Sequence, residues 1–320
     1  MSATQAQQAQ QDKSRSLLDR MPSISWADAY DPPPPLRFIL PGLLEGGVGL
    51  IVGQGAIGKT FLALEILRGF CMGDGIAQGT HGALYSKHEI GEGEAGAILG
   101  EDPPEIIAHR LHALVRGHRM DLEDAQFLGA VLDIKSGVGI DMALAAPGPH
   151  GQLVPGPFYS ALKAFCEGKK LVIIDPLLFL SGGIDEKDNA GMGAVMRLIT
   201  RIGHETGCAI LVLHHVGKGG DDGREEAARA RGASSITTSI RLQLDMRPPS
   251  AAEMQEYGIP ATERDFYVRV AQVKANYSAP RDPVWLLRGE GGVLRHVQLQ
   301  RVPVQADEPR GRRGRSNGAI

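Results

Sequence analysis

Eight residues, Gly53 to Thr60, read G-Q-G-A-I-G-K-T. Their spacing is that of a G-x-x-x-x-G-K-[ST] phosphate-binding loop. Val48 to Val52 before them is a short apolar run, fit for a buried strand. Phe61 to Phe70 after them places apolar residues at helical spacing. Gly53, Gly55 and Gly58 let the backbone turn tightly and aim N–H groups inward, with Gln54, Ala56 and Ile57 between them. The helix that starts after Gly58 adds partial positive charge where phosphates would sit. Lys59 is suited to bridge β- and γ-phosphates, and the Thr60 hydroxyl to ligate Mg²⁺. A chance glycine-rich turn is the plain alternative. It does not explain the strand before and the helix after.

A second chemical signal lies at Lys170 to Asp175, K-L-V-I-I-D, a buried strand ending in a carboxylate. This is the Walker B pattern, in which Asp175 holds Mg²⁺. The competing role is a strand-end Asp that caps the next turn. Glu101 closes another short run, Ala97 to Gly100, and could polarise an attacking water. Asp102 competes for that task, and a helix N-terminal charge before Pro103 is the structural alternative. His214 and His215 end a further strand. Neighbours on a strand face opposite ways, so at most one of them meets a nucleotide. They form no H-E-x-x-H metal pair with His204 and Glu205, because that spacing falls on Cys208. Arg110, Arg231 and Arg241 could each place a guanidinium on phosphate, or simply be surface charge.

These residues need elements to position them. The order strand, phosphate loop, helix, then alternating strands and helices predicts an α/β chain with a largely parallel sheet. Its phosphate site belongs at the carboxyl ends of the strands. Helices are expected over Glu105–Val115, Phe158–Glu167 and Ala194–Thr206. Strands are expected within Gln126–Ile134 and over Ala209–His214, Ser239–Asp245, Phe266–Lys274 and Val284–Arg288. Asp74–Gly96 reads as an irregular loop or a short hairpin, and Asp141–Pro157, Gly182–Gly193 and Lys218–Gly232 read as loops.

The 320 residues fit one large domain with appendages: a polar tail over 1–24, a body over 25–300 and a basic tail over 301–320 carrying Arg310, Arg312, Arg313 and Arg315. The balance of 34 basic and 37 acidic residues excludes a chain that coats nucleic acid by bulk charge. Cys71, Cys166 and Cys208 are odd in number and scattered, which speaks against a disulfide framework and for a reducing cytoplasm. The longest apolar run, Leu171 to Leu180, is broken by Asp175 and Pro176, so no membrane span is expected.

Longer stretches carry a resemblance. PPPLRFILPGLL before the loop, EDPPEIIAHRLHAL (101–114), EGKKLVIIDPL (167–177), ETGCAILVLHHVGKG (205–219), ARGASSITTSIR (230–241) and VKANYSAP (273–280) resemble the RepA-type hexameric replicative helicases of broad-host-range plasmids. That group lies within the RecA/DnaB-like ATPases. The resemblance spans about Ser25 to Leu294 and implies a RecA-like P-loop core with extra C-terminal strands. It implies Glu101 as catalytic base, Lys59, Thr60 and Asp175 in their nucleotide and metal roles, and His215 as a γ-phosphate sensor. Arg241 becomes an arginine finger that reaches a neighbour's ATP, with Arg110 and Lys274 as weaker phosphate contacts. The implied cofactors are ATP and Mg²⁺. The implied partners are five further copies in a homo-hexamer, single-stranded DNA in the central channel, and a replication initiator or primase. Lys187, Lys218, Arg224 and Arg229 would line that channel. Asp221, Asp222, Glu225 and Glu226 in the same loop would repel a phosphate backbone. A regulatory or assembly ATPase without unwinding activity is the first rival reading, a small-molecule kinase the second.

Overall fold

The computed structural model describes residues 18–19, 21–149, 152–215 and 234–303. The expected N-terminal tail up to residue 17, the loop 216–233 with Lys218, Arg224, Arg229 and Arg231, and the basic tail from 304 lie outside them. The chain divides into two units, Met1–Leu36 and Arg37–Ile320. In the first, Ser25 and Asp28 cap one another, Ser25 N donating to Asp28 Oδ2 at 2.9 Å and Asp28 N to Ser25 Oγ at 3.2 Å.

The second unit opens with a small hairpin, β1 (Phe38–Leu40) and β2 (Leu43–Leu44). Strand β3 (Val48–Gly53) leads into helix α1 (Lys59–Met72). There follow β4 (Ala95–Leu99), α2 (Pro104–His118), α3 (Leu122–Val131) and β5 (Leu132–Ser136). A hairpin of β6 (Ala145–Pro147) and β7 (Leu153–Pro155) precedes α4 (Phe158–Cys166), β8 (Leu171–Asp175) and the short α5 (Leu177–Leu180). Then come α6 (Asn189–Thr206), β9 (Ala209–His215), α7 (Ser234–Ser239), β10 (Leu242–Arg247) and α8 (Ala251–Tyr257). Strands β11 (Tyr267–Ala275), β12 (Val284–Arg288) and β13 (Leu294–Val297) finish the described chain.

Nine of these strands form one sheet in the order β13-β12-β11-β10-β3-β9-β8-β4-β5. From β10 to β5 all pairings are parallel, while β11, β12 and β13 extend the edge beside β10 antiparallel. Side chains alternate across the sheet with the two-residue strand period. Val48, Leu50 and Val52 of β3 pack on one face with Met192, Val195, Met196 and Ile199 of α6. Ile51 packs on the other face with Leu62, Ile66, Leu67 and Phe70 of α1. Each such fully buried side chain contributes about 1.5–3 kcal/mol from apolar burial. Helices cover both faces, which explains why the parallel strands are unbroken apolar runs.

Several expectations shift. The run Gln126–Ile134 is helix up to Val131, and its strand begins at Leu132. Asp121 explains the helix: its side chain accepts from Asp124 N, and Asp124 returns the bond to Asp121 N, a reciprocal cap. Helix α6 begins at Asn189 within the expected 182–193 loop, because Asp188 caps it through Ala190 N. Ser239 ends a helix, and the following strand starts at Leu242. Of the two readings of 74–96 the short hairpin holds: antiparallel bridges join Ile76 to Tyr85 and Gly79 to Gly82, with Tyr85 buried. Among the described residues, no helix is long and apolar enough to cross a membrane.

Candidate active site

Strands β3, β8, β4 and β9 deliver their carboxyl ends to one edge of the sheet, and each brings one chemical group. From β3 comes the loop 53–60. Gly58 sits at φ +103°, a left-handed conformation that suits glycine, and ends the loop where α1 begins. Lys59 is 4 % exposed, and its ammonium donates to Gly53 O and Gln54 O at 2.9 Å each. A third contact joins it to His215 Nδ1 at 3.3 Å. An ammonium can only donate, so Nδ1 accepts, and in the neutral ring Nε2 carries the proton. That Nε2 lies 3.7 Å from Glu101 Oε2.

Asp175 ends β8 directly across from the loop. Thr60 Oγ1 donates to its Oδ2 at 2.6 Å. Its other oxygen, Oδ1, is buried without a hydrogen-bond partner. Burial raises the Asp175 carboxyl above its ordinary range, with the Glu101 charge adding to the rise, while Thr60, His215 and Lys59 oppose it. Burial likewise depresses Lys59, and Asp175 and Glu101 pull it back up. A buried carboxylate with an orphan oxygen beside a threonine hydroxyl fits a hard divalent cation such as Mg²⁺, which takes oxygen donors.

The tip of β4 is stitched to β8: Gly100 N donates to Asp175 O at 2.6 Å. This link sets Glu101 beside Asp175. Donor atoms of Glu101, Asp175 and His215 lie within 4.8 Å of one another. Geometry also separates Glu101 from Asp102. The Asp102 carboxylate is held by Arg110, from Nε at 2.8 Å and Nη2 at 3.0 Å. Glu101 remains half exposed at the site.

His214 faces the other side of β9, as strand alternation requires. It is 3 % exposed, with Nδ1 3.7 Å from Glu186 Oε1. That is beyond hydrogen-bond reach; burial, with the His215 and Lys59 charges adding to it, lowers His214 to about 4.

The structure therefore brings together the loop 53–60, Glu101, Asp175 and His215. It sets Arg110 apart from the cluster, against Asp102 and over the Phe61 ring at 5.2 Å. Arg241 is exposed just before β10, and its N donates to Val48 O at the opposite end of the strands from the loop. Lys274 turns to Thr237 O at 2.6 Å. Arg288, expected only as the end of a strand and given no site role, donates from Nη2 to Ala56 O inside the loop at 3.0 Å. Nothing local in the sequence signals that contact, which spans 232 positions.

One solved structure, an ATPase domain, is similar to this chain with a TM-score of 0.52 at 13% identity, over 79% of this chain and 86% of that one. Likeness at such identity speaks to the fold alone: a RecA-like P-loop nucleotide-binding core with extra C-terminal strands. The flagellar accessory protein FlaH from Methanocaldococcus jannaschii superposes with a TM-score of 0.49 at 11% identity, over 81% and 91% of the two chains. The AAA domain family matches residues 14–221, which hold the phosphate loop, Glu101, Asp175 and His215 and end before Arg241 and Arg288. The chain belongs to the AAA domain family.

Proposed function

We propose that the protein is an ATP-driven, ring-forming DNA translocase and helicase that acts in plasmid or mobile-element replication. The observation that carries the hydrolase part is the convergence of Lys59, Thr60, Asp175, Glu101 and His215 at one edge of the sheet. ATP would lie along the loop 53–60 with its phosphates on the backbone N–H groups and Lys59. Thr60 and Asp175 would hold Mg²⁺, which would offset the charge on the phosphates. Glu101 would take a proton from the attacking water as its oxygen bonds to the γ-phosphorus in line, while the bond to the β-phosphate oxygen breaks and ADP leaves, giving inorganic phosphate. His215 would sense whether the γ-phosphate is present; its contacts with Lys59 and Glu101 support that reading.

Arg241 supports the ring. It sits at the far end of the sheet from its own loop, so within one chain it cannot meet the nucleotide that its own loop holds. A head-to-tail contact between copies would bring that end to a neighbour's site, and such contacts form a ring when their rotation closes. The proposed stoichiometry is six, with single-stranded DNA in the channel.

One observation favours the rival, an ATPase that remodels or regulates proteins. Beside Glu101 lies an open pocket walled by the acids Asp141, Asp185 and Glu186 and by the apolar Ile140, Leu178 and Phe179. Such a wall suits a basic, apolar polypeptide better than a phosphate backbone. ATPase rate with and without single-stranded DNA, followed by strand displacement on a forked duplex, separates the two. The translocase reading expects DNA to stimulate the wild type and the Glu101→Gln variant to displace no strand. A rate indifferent to DNA, with no displacement, would leave the rival.

A further inference from the structure

We propose that Arg288 is a positioning residue of the phosphate cradle, supplied in cis by the antiparallel strands. Its Nη2 donates to Ala56 O at 3.0 Å. Ala56 has φ +63°, a left-handed conformation that a residue with a Cβ rarely adopts unaided. In a trans peptide the C=O and the following N–H point opposite ways. Holding the Ala56 carbonyl outward therefore turns the Ile57 N–H inward, toward the space the phosphates would take. The Ile57 N–H is nearly free for that task, since its one backbone contact, Gln54 O, is long at 3.5 Å.

The surroundings agree. Arg288 pairs with Leu294 across β12 and β13. A Cβ built on Gly58 would meet Leu294 Cδ1 at 3.4 Å and Arg288 Nη2 at 3.5 Å, so the two residues lie together over the loop. Arg288 Nε is buried without a partner. The guanidinium thus keeps donor capacity unspent next to a site built for anions. The ligand class is a nucleoside di- or triphosphate, and Arg288 acts on it through the loop backbone and as a nearby positive charge.

This role rests on residues 53–60 being a phosphate cradle, and it is independent of ring assembly and of DNA. It is tested by ADP binding in a titration calorimeter and by steady-state ATPase, on the full chain and on Arg288→Ala and Arg288→Lys. The expected result is an ADP Kd and an ATP KM each raised about tenfold in Arg288→Ala, with kcat within about twofold. Arg288→Lys, which keeps one donor and the charge, recovers part of that loss. Should Arg288→Ala fail to fold, as judged by its melting curve, Arg288→Lys carries the test with a smaller shift in the same direction. An ADP Kd unchanged within about twofold in the folded variant overturns the assignment. A fall in kcat at constant KM also overturns it, because Arg288 would then act in the transition state. Failure of the wild type to bind ADP would instead remove the cradle itself.

Discussion

Lys59 has no spare donor: two loop carbonyls and His215 take all three of its N–H groups. Bound phosphate has to replace those contacts, so Lys59→Ala should weaken nucleotide binding by about 100-fold or more, measured with ADP. Glu101→Gln removes the base but leaves the cradle, so ATP should bind normally while kcat falls by about 10²–10⁴. His214 makes a pH prediction. The folded chain keeps it neutral down to about 4, whereas the unfolded chain protonates it near 6.5. The unfolded state therefore binds more protons in that window, and stability falls as pH drops from 6.5 toward 4. At about pH 5 the loss relative to about pH 7 is on the order of 2 kcal/mol. Urea unfolding at the two pH values should show this slope in the wild type and a smaller one in His214→Gln; equal slopes would contradict it. At this scale the loop and Asp175 were legible, because their chemistry is encoded in contiguous spacing. Residue spacing alone leaves Glu101 and Asp102 open and only the resemblance favours Glu101; the Arg110 pairing that ties up Asp102 is a contact between a strand tip and a helix face that no local pattern records.

Elements were legible where apolar period and caps agreed. Strands β3, β8 and β9 are continuous apolar runs because helices cover both their faces, and this is visible directly in the residues. The end of helix α3 reads as the start of a strand because Phe127, Leu128 and Val131 are as apolar as the β5 residue Leu132 that follows. The deciding signal is the Asp121-x-x-Asp124 cap, a side-chain pattern rather than a hydrophobic one. Ser250 and Glu253 cap α8 in the same way, and the expected elements omit that helix altogether. Asp121→Ala should lower unfolding free energy by about 1 kcal/mol and leave ADP affinity unchanged. Denaturant melts and calorimetry check the two halves of that statement. The joining of β4 to β8 through Gly100 is an element-scale device with a functional end. A Cβ on Gly100 would collide with the Phe179 ring, so the tip that carries Glu101 tolerates no larger residue there without displacement.

For the whole molecule, one edge of the sheet holds the cluster while Arg241 lies at the other. The positions of Lys59, Asp175 and Arg241 along the chain carry no sign of that separation. It emerges from β10 running parallel to β3, with Leu242 beside Gly49. In the proposed ring this separation would make hydrolysis a property of pairs of subunits. Arg241→Ala should keep ADP binding and lower assembled turnover by about 10³-fold or more. The most direct test mixes two variants that are each inactive, Lys59→Ala and Arg241→Ala, in equal amounts and follows ATP hydrolysis. A finger supplied in trans predicts that activity returns, up to about a quarter of the wild-type rate, because intact loops then meet intact arginines across some interfaces. A mixture as inactive as its components, although both variants still assemble, would contradict it.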